Sequence, residues 1–177
     1  MVEARLVRED GELEQILDLQ RRNLPRNLGA RELAENGFVT VEHTLEVLRR
    51  MHALAPSIVA RDGAELAGYA LVMPVECRSF IPVLEPMFQR LEALGLFRQR
   101  FYVMGQICVA PAYRGRGVFD LLYRAHRDYL RGRFDSVVTE VATRNPRSLR
   151  AHQRVGFEEL ERYRDATDEW VLLIWRW

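Results

Sequence analysis

The alternation of apolar and polar positions divides the first half of the chain into short elements. Residues 3–9 alternate as in a strand, and apolar residues recur at helical spacing over residues 12–22 and 40–54. Pro56 ends the second helical run. The segment "SIVARDGAELAGYALVMP" then predicts a β-hairpin around the turn residues Asp62 and Gly63.

A helical pattern interrupts the strands after this hairpin. The segment "CRSFIPVLEPMFQRLEALGLFRQR" places apolar residues at helical spacing, and Gly95 is a plausible end of the helix. We therefore expect a helical insertion at about residues 80–99, between two strands that a tight turn would have joined. Long connections of this kind are often functional lids, and a helix that only packs is an equally good interpretation.

The second half alternates strands and helices. A strand at residues 100–111 leads through a glycine–arginine loop into a helix that begins near Gly117, and a strand follows at residues 134–143. Asn145 as N-cap, Pro146 and Gly156 bound a further helix, and two strands follow at residues 158–163 and 169–177. This order predicts an α/β (α+β) fold, a mixed sheet with helices on its faces, as a single domain over residues 1–177.

Composition and charge narrow the choice of partners and compartment. The formal net charge is +1, which gives no reason to expect nucleic acid or an anionic membrane as a partner. The two cysteines, Cys77 and Cys108, lack the spacing of a metal site or a disulfide framework, so we expect no metal and a reducing compartment. The charged N-terminus is unlike a signal peptide. We therefore expect a cytoplasmic protein.

Candidate chemistry is concentrated in the loop "YRGRGVFDLL" at residues 113–122. The first amides of a helix have no internal partners, and the helix dipole adds partial positive charge there. Gly115 and Gly117 lack the Cβ that would keep a phosphate from the backbone, and Arg114 and Arg116 add full charges. The loop is therefore predicted to hold a phosphate group.

Three kinds of phosphate-binding loop compete as interpretations of this stretch. A P-loop needs a lysine followed by serine or threonine, and neither is present. A Rossmann loop needs a third glycine where the chain has Asp120, whose charge would face a pyrophosphate. The remaining choice is the pyrophosphate loop of coenzyme A enzymes.

Two motifs carry a resemblance to one superfamily of such enzymes. The segment "ICVAPAYRGRGVFDLLYRAH" resembles the central motif of the GNAT superfamily of N-acetyltransferases, (Gln/Arg)-x-x-Gly-x-(Gly/Ala), with Arg114 and Gly117 in its first and fourth positions. Phe119 departs from the small residue that is usual at the sixth position. The segment "NPRSLRAHQRVGF" resembles the later motif of the superfamily, with Asn145, Ser148, Gly156 and Phe157 in register.

The resemblance implies a fold and a cofactor site. It implies a mostly antiparallel sheet with two splayed central parallel strands, and acetyl-CoA bound as cosubstrate where these strands separate. The acetyl group would pass by direct attack, in a ternary complex, to a primary amine of a small molecule or a peptide. The residues that the resemblance assigns to acetyl-CoA are Ile107, Cys108, Val109, Arg114, Gly115, Arg116, Gly117, Val118, Phe119, Asn145 and Ser148.

Catalytic candidates follow from the same resemblance. His152 occupies the position of the usual tyrosine of the superfamily and is a candidate general acid; it is equally well interpreted as a histidine that only packs. Glu140 and Glu76 are candidate bases, although each is also interpretable as a structural carboxylate. Gln106 is a candidate to orient a water molecule or to bond within its strand. The remaining histidines, His43, His52 and His126, are expected to be structural.

The acceptor and the functional class have alternatives. We expect the helical insertion to cover the acceptor side and to favour a small amine, and a homodimer is left open. A non-catalytic acyl-CoA-binding sensor or interaction domain is the competing functional class, because Phe119 and the missing tyrosine depart from the pattern of the superfamily.

Overall fold

The computed structural model describes residues 1–36 and 38–177, and for residues 34–36 only the backbone. Among these residues, seven strands form one sheet in the order β1-β2-β3-β4-β5-β7-β6. β4 and β5 are parallel, and the other described pairs are antiparallel. The strands are β1 (Glu3–Leu6), β2 (Ile58–Asp62), β3 (Glu65–Met73), β4 (Phe101–Val109), β5 (Ser136–Ala142), β6 (Glu158–Arg164) and β7 (Glu169–Arg176).

Helices cover both faces of this sheet, as expected for the predicted fold class, which is confirmed. Leu13, Leu48 and Phe88 bring three helices into the core on one face, and Leu122 brings another helix into the core on the opposite face. None of the described helices is long and apolar enough to cross a membrane. The helices are α1 (Asp10–Arg22), α2 (Ala30–Asn36), α3 (Leu45–Leu54), α4 (Glu85–Ala93), α5 (Val118–Leu130) and α6 (Pro146–Val155).

Two helices differ from the sequence prediction for local reasons. The predicted helix at residues 40–54 begins only at Leu45, because the Thr44 hydroxyl accepts a hydrogen bond from the Val47 amide at 3.2 Å and caps the helix there. α2 was not predicted, since "ARELAEN" carries no apolar stripe. The insertion contains α4, which buries Met87, Phe88 and Leu91, between two short 3₁₀ turns.

The central parallel strands separate, as the resemblance implied. β4 and β5 pair only through Phe101, Tyr102 and Val103, opposite residues 136–138. The Thr139 hydroxyl donates to the Met104 carbonyl at 3.0 Å, just beyond the last pair. β4 continues to Val109 and β5 to Ala142, but the two strands no longer pair with each other. A cleft therefore opens between their carboxyl ends.

An extended segment, residues 38–43, lies across this cleft on the α1 side. Its backbone is held by hydrogen bonds from four places in the fold, so it forms a fixed wall of the cleft. The bonds are Val39 N to Asn23 O at 3.1 Å, Gln106 Nε2 to Val41 O at 2.7 Å, His43 N to Gln20 Oε1 at 2.9 Å and Asn145 Nδ2 to Phe38 O at 3.2 Å.

Candidate active site

The glycine–arginine loop has the backbone conformation that an anion site needs. Gly115 and Gly117 have φ angles of 72° and 76°, which side chains disfavour, although a Cβ at either position would meet no atom within 4 Å. The conformation, not crowding, therefore requires glycine. The first helical hydrogen bond of α5 runs from the Leu121 amide to the Gly117 carbonyl at 3.0 Å. The amides of Val118 and Phe119 precede it and face outward at the positive end of the helix.

A cavity of about 360 Å³ lies against this loop, at the open end of the cleft. Its walls come from the loop, the end of β4, the 38–43 segment and α6. Three arginines and one aspartate supply the charged lining, a balance that favours an anionic ligand. These residues are Arg114, Arg147, Arg154 and Asp120.

The Arg114 guanidinium donates two hydrogen bonds at the cavity wall. It donates through Nε to the Val109 carbonyl at 3.2 Å and through Nη2 to Asn23 Oδ1 at 2.6 Å. Burial lowers the pKa of this half-buried group below its ordinary value. No described carboxylate lies within 4.0 Å of it, so its charge is available to an anion in the cavity. Arg114 therefore ties β4 to the end of α1 and also makes the cavity positive.

The backbone of β4 presents alternate residues to the cleft. The Ala110 amide donates to the carbonyl of Ala67 in β3 at 2.9 Å, and a Cβ at Gly68 would lie 2.8 Å from the Cys108 carbonyl. Because successive residues direct their amides and carbonyls to opposite sides of a strand, Cys108 faces β3, whereas Ile107 and Val109 face the cleft. Burial raises the pKa of the Cys108 thiol to about 12, so it stays protonated near neutral pH.

A second cavity, of about 60 Å³, lies deeper between the separated strands. The Glu140 side chain on β5 lines it, and the Tyr163 hydroxyl on β6 donates to Glu140 Oε2 at 2.5 Å. Burial raises the pKa of Glu140 to about 7, with a further increase from Asp165 and an opposing decrease from Tyr163. A carboxylate that titrates near neutral pH is suited to accept a proton.

Comparison with known protein families matches residues 13–157 to the model of the acetyltransferase (GNAT) family. The chain belongs to this family. The match confirms the predicted superfamily and, with it, the prediction of an acetyltransferase enzyme that uses acetyl-CoA. A comparison with curated protein sequences gives no match.

Solved GNAT structures share the fold of this chain at low sequence identity. A polyamine N-acetyltransferase from Drosophila melanogaster that forms N-acetylagmatine is 14% identical, with 100% of both chains covered and a TM-score of 0.74. The ribosomal-protein-S18-alanine N-acetyltransferase from Escherichia coli is 14% identical, with 99% of this chain and 94% of that chain covered and a TM-score of 0.68. A putative acetyltransferase from Salmonella typhimurium, solved with acetyl-CoA, is 16% identical, with coverages of 99% and 94% and a TM-score of 0.66. At such identities the similarity shows the fold alone.

Phe119, which departs from the GNAT motif, is explained by packing between α5 and α6. Its ring lies edge-on to those of Tyr123 and His152, with centroids 5.2 Å and 5.1 Å away. The neighbouring Asp120 carboxylate accepts from Arg154 on α6 at 3.0 Å. Both side chains thus join the two helices, and the Phe119 amide keeps its place in the first turn of α5.

The later GNAT motif forms the predicted capped helix. The Asn145 side chain accepts from the Ser148 amide at 3.3 Å through Oδ1, and Gly156 ends the helix with a φ of 117°. The amide nitrogen of Asn145 donates to the Phe38 carbonyl, so this one side chain joins α6 to the 38–43 segment. Asn145 and Ser148 line both cavities.

His152 has a partner at each ring nitrogen. Nδ1 lies 2.8 Å from the Ser148 carbonyl, which can only accept, so Nδ1 carries the proton and Nε2 accepts from the Tyr123 hydroxyl at 2.7 Å. Burial lowers the pKa of the imidazole to about 4, which leaves it neutral near pH 7. This geometry favours the interpretation of a packing histidine; the general-acid role stays a prediction.

The other predicted polar residues differ in their distance from the cleft. Gln106 Oε1 accepts from Gln20 at 3.0 Å and from the Tyr69 hydroxyl at 2.6 Å, and its amide nitrogen holds the 38–43 segment, so Gln106 acts as a structural residue of the cleft wall. Glu76 is exposed beside Phe101, at the closed end of the β4–β5 pair. The structure therefore brings Glu140, but not Glu76, to the cavity between the strands.

Three residues of the site escaped the sequence analysis: Asn23, Tyr123 and Tyr163. Tyr123 follows Phe119 by four residues, so helical spacing alone would have placed both on one face of α5. Asn23 and Tyr163 gave no local indication, because their partners Arg114 and Glu140 are 91 and 23 residues away in the sequence.

Proposed function

We propose that the protein transfers the acetyl group of acetyl-CoA to a primary amine by direct attack in a ternary complex. One observation carries the proposal: the cavity beside the anion-binding loop adjoins the cavity that contains the Glu140 carboxylate. Five residues line both cavities, so a ligand held by the loop can reach the carboxylate. These residues are Phe38, Val39, Ile107, Asn145 and Ser148.

The chain offers matching groups for the pyrophosphate and for the pantetheine arm of acetyl-CoA. The loop amides and the Arg114 charge suit the pyrophosphate. The amides of Ile107 and Val109, which face the cleft, suit the amide groups of the pantetheine arm. Cys108 is not proposed as a backbone partner, because its amide and carbonyl face β3. An arm held in this way directs the thioester toward the second cavity.

Glu140 is the proposed base. It removes the proton of the acceptor ammonium, and the free amine then attacks the thioester carbonyl carbon. The new C–N bond forms as the C–S bond breaks, the CoA sulfur leaves with the electron pair of that bond, and the second proton lost by the nitrogen passes to the departing sulfur, which leaves as the thiol. We propose no protein acid for this sulfur, because the His152 imidazole is neutral and both its nitrogens are engaged.

A small-molecule amine is the proposed acceptor. The cavity at Glu140 is small, and residues 38–40 of the 38–43 segment form one of its walls. The inserted helix α4 lines neither cavity, and its apolar residues are buried in the core, so these contacts do not support a direct cover over the acceptor. A peptide amine, a cytoplasmic location and a homodimer stay predictions.

Acetyl-CoA binding followed by an amine panel tests the proposal. Calorimetry with acetyl-CoA should show binding at one site, and an assay of free thiol should then show turnover with small primary amines. A parallel set of peptides with free N-termini reports on the peptide alternative. Binding without turnover across both sets would favour the non-catalytic sensor, and an absence of binding would overturn both functions.

Replacing Gly117 with alanine is expected to weaken acetyl-CoA binding about tenfold. The left-handed conformation costs an alanine about 1–2 kcal/mol, so the free loop relaxes and must be restored on binding. Gly63→Ala is the matched control, because Gly63 has a φ of 59° and equally open surroundings in the distant β2–β3 turn. Equal dissociation constants for the two variants would show that the Gly117 loop does not hold the ligand.

A further inference from the structure

We propose that Tyr163 is a positioning residue, which holds the Glu140 carboxylate so that one of its oxygens faces the acceptor amine. This inference rests on the proposed function, in which Glu140 is the base. It assigns a role to a residue that lines neither the acetyl-CoA cavity nor the small cavity between the strands.

The contact divides the two oxygens of the carboxylate. Tyr163 donates to Oε2 of Glu140, and among the described residues it is the one hydrogen-bond partner of this carboxyl, so Oε1 has no donor there. A carboxylate with one oxygen fixed and the other unbonded keeps a lone pair for an incoming ammonium proton. The single hydrogen bond thus restricts the orientation of the carboxylate without occupying the oxygen that reacts.

The inserted helix α4 contacts β6, the strand that carries Tyr163. Tyr163 lies on the edge strand β6, opposite Trp170 of β7. Two residues earlier on β6, Glu161 forms an ion pair with Arg90 of α4, with Arg90 Nε 2.9 Å from Glu161 Oε2. Residues two apart lie on the same face of a strand, so α4 holds the face of β6 from which Tyr163 reaches Glu140. The insertion therefore acts on the site through β6.

The groups around the Tyr163–Glu140 pair determine whether the pKa of Glu140 rises or falls when the Tyr163 hydroxyl is removed. Burial raises the pKa of Tyr163 above its ordinary range, so its hydroxyl remains a donor near neutral pH. That hydrogen bond favours the charged carboxylate, whereas the charge of Asp165 disfavours it. Removing the hydroxyl should therefore make Glu140 harder to ionise. The charged and titratable groups near the pair are Arg90 on α4, Glu161 on β6, Asp165 after β6 and His152 on α6.

Carbon-13 NMR of the carboxyl groups tests the proposal without any acceptor. In the full chain labelled at glutamate, the Glu140 resonance is assigned by its absence from Glu140→Gln. In Tyr163→Phe its titration midpoint should lie about one pH unit above the wild-type value, which corresponds to the loss of one hydrogen bond to a charged group. Tyr129→Phe, at an exposed tyrosine of α5, is the matched control and should leave the midpoint unchanged. An unchanged or lower midpoint in Tyr163→Phe would overturn the proposal.

Kinetics with an amine from the panel supply the second readout. Tyr163→Phe should lower kcat about fivefold at pH 7, as the ionised fraction of Glu140 falls, and recover most of the loss near pH 9, with an unchanged KM for acetyl-CoA. In the Glu140→Gln background the same change should have no further effect on kcat. A loss that is equal at every pH would show a merely structural role for Tyr163. Full activity of Glu140→Gln would instead defeat the proposed base, whatever the NMR result for Tyr163.

Discussion

Replacement of Glu140 with glutamine is expected to lower kcat about 10²–10³-fold near pH 7.5, with an unchanged affinity for acetyl-CoA. Glutamine has the shape of glutamate, and its carbonyl oxygen can accept from the Tyr163 hydroxyl, so the fold around the second cavity should persist. What is lost is the proton acceptor. Steady-state kinetics with the best amine, together with calorimetry for acetyl-CoA, measures the two quantities separately.

A stability measurement distinguishes loss of the base from misfolding. The pKa of Glu140 is raised from 4.5 to about 7 in the folded protein, so ionising this buried carboxyl costs stability as the pH rises through that window. Glu140→Gln should therefore be more stable than wild type by about 2–3 kcal/mol at pH 8, and the gain should vanish below about pH 4.5. A variant that is more stable and far less active has lost chemistry, not structure.

Glu76→Gln is the matched control for this prediction. Glu76 is the other candidate base from the sequence, but its side chain is exposed at the closed end of the β4–β5 pair. Its replacement should change neither kcat nor the pH profile. If Glu76→Gln were inactive and Glu140→Gln retained its activity, Glu140 would not be the base. The acceptor would then have to approach from the side of Glu76, opposite to the proposed side.

The sequence predicts those parts of the site in which the determining residue lies within a few residues of the backbone that it shapes. The left-handed glycines before α5 and the Asn145 cap of α6 each act on backbone within one turn, so the motifs alone located the loop and the helix. The whole β4–loop–α5 unit followed from the same local pattern. This local agreement is the reason that the family and the fold could be inferred before the structure.

Other properties of the site depend on contacts across the fold. The sequence identified Arg114 as a charge, but its partner Asn23 comes from the end of α1. Likewise, Glu140 was a candidate carboxylate, but the burial and the Tyr163 bond that set its pKa come from β6, two strands away in the sheet. The protonation state of His152 depends on Tyr123 of the facing helix. Such couplings have no period or motif, so residue type alone could not reveal them.

Acidification is expected to destabilise the protein strongly between about pH 6 and pH 4, and buried histidines are the main cause. Burial lowers the pKa of His43 to about 4, of His126 to about 3 and of His152 to about 4, from an ordinary value of 6.5. Between pH 6.5 and about pH 4, the three histidines of the unfolded chain therefore bind three protons that those of the folded protein do not. Stability should therefore fall by about 4 kcal/mol per pH unit, and protonation of Glu140 in the folded state offsets about 1.4 of this. The net fall of about 2.7 kcal/mol per pH unit amounts to about 5 kcal/mol over two units, which is the lower end of the about 5–15 kcal/mol by which a typical domain is stable.

Urea unfolding followed by tryptophan fluorescence from pH 8 to pH 4 measures this slope. His152→Gln should reduce the slope by about one half, whatever its effect on stability at neutral pH, since one of the two net protons is removed. Gln153→Ala, at the exposed neighbour of His152 on α6, does not titrate; it is the control and should keep the wild-type slope. A slope that His152→Gln leaves unchanged would contradict the prediction, because His152 would then bind its proton equally well in the folded and the unfolded protein. That result would also restore His152 as the proton donor to the CoA sulfur, so the same titration decides between the two roles of this histidine.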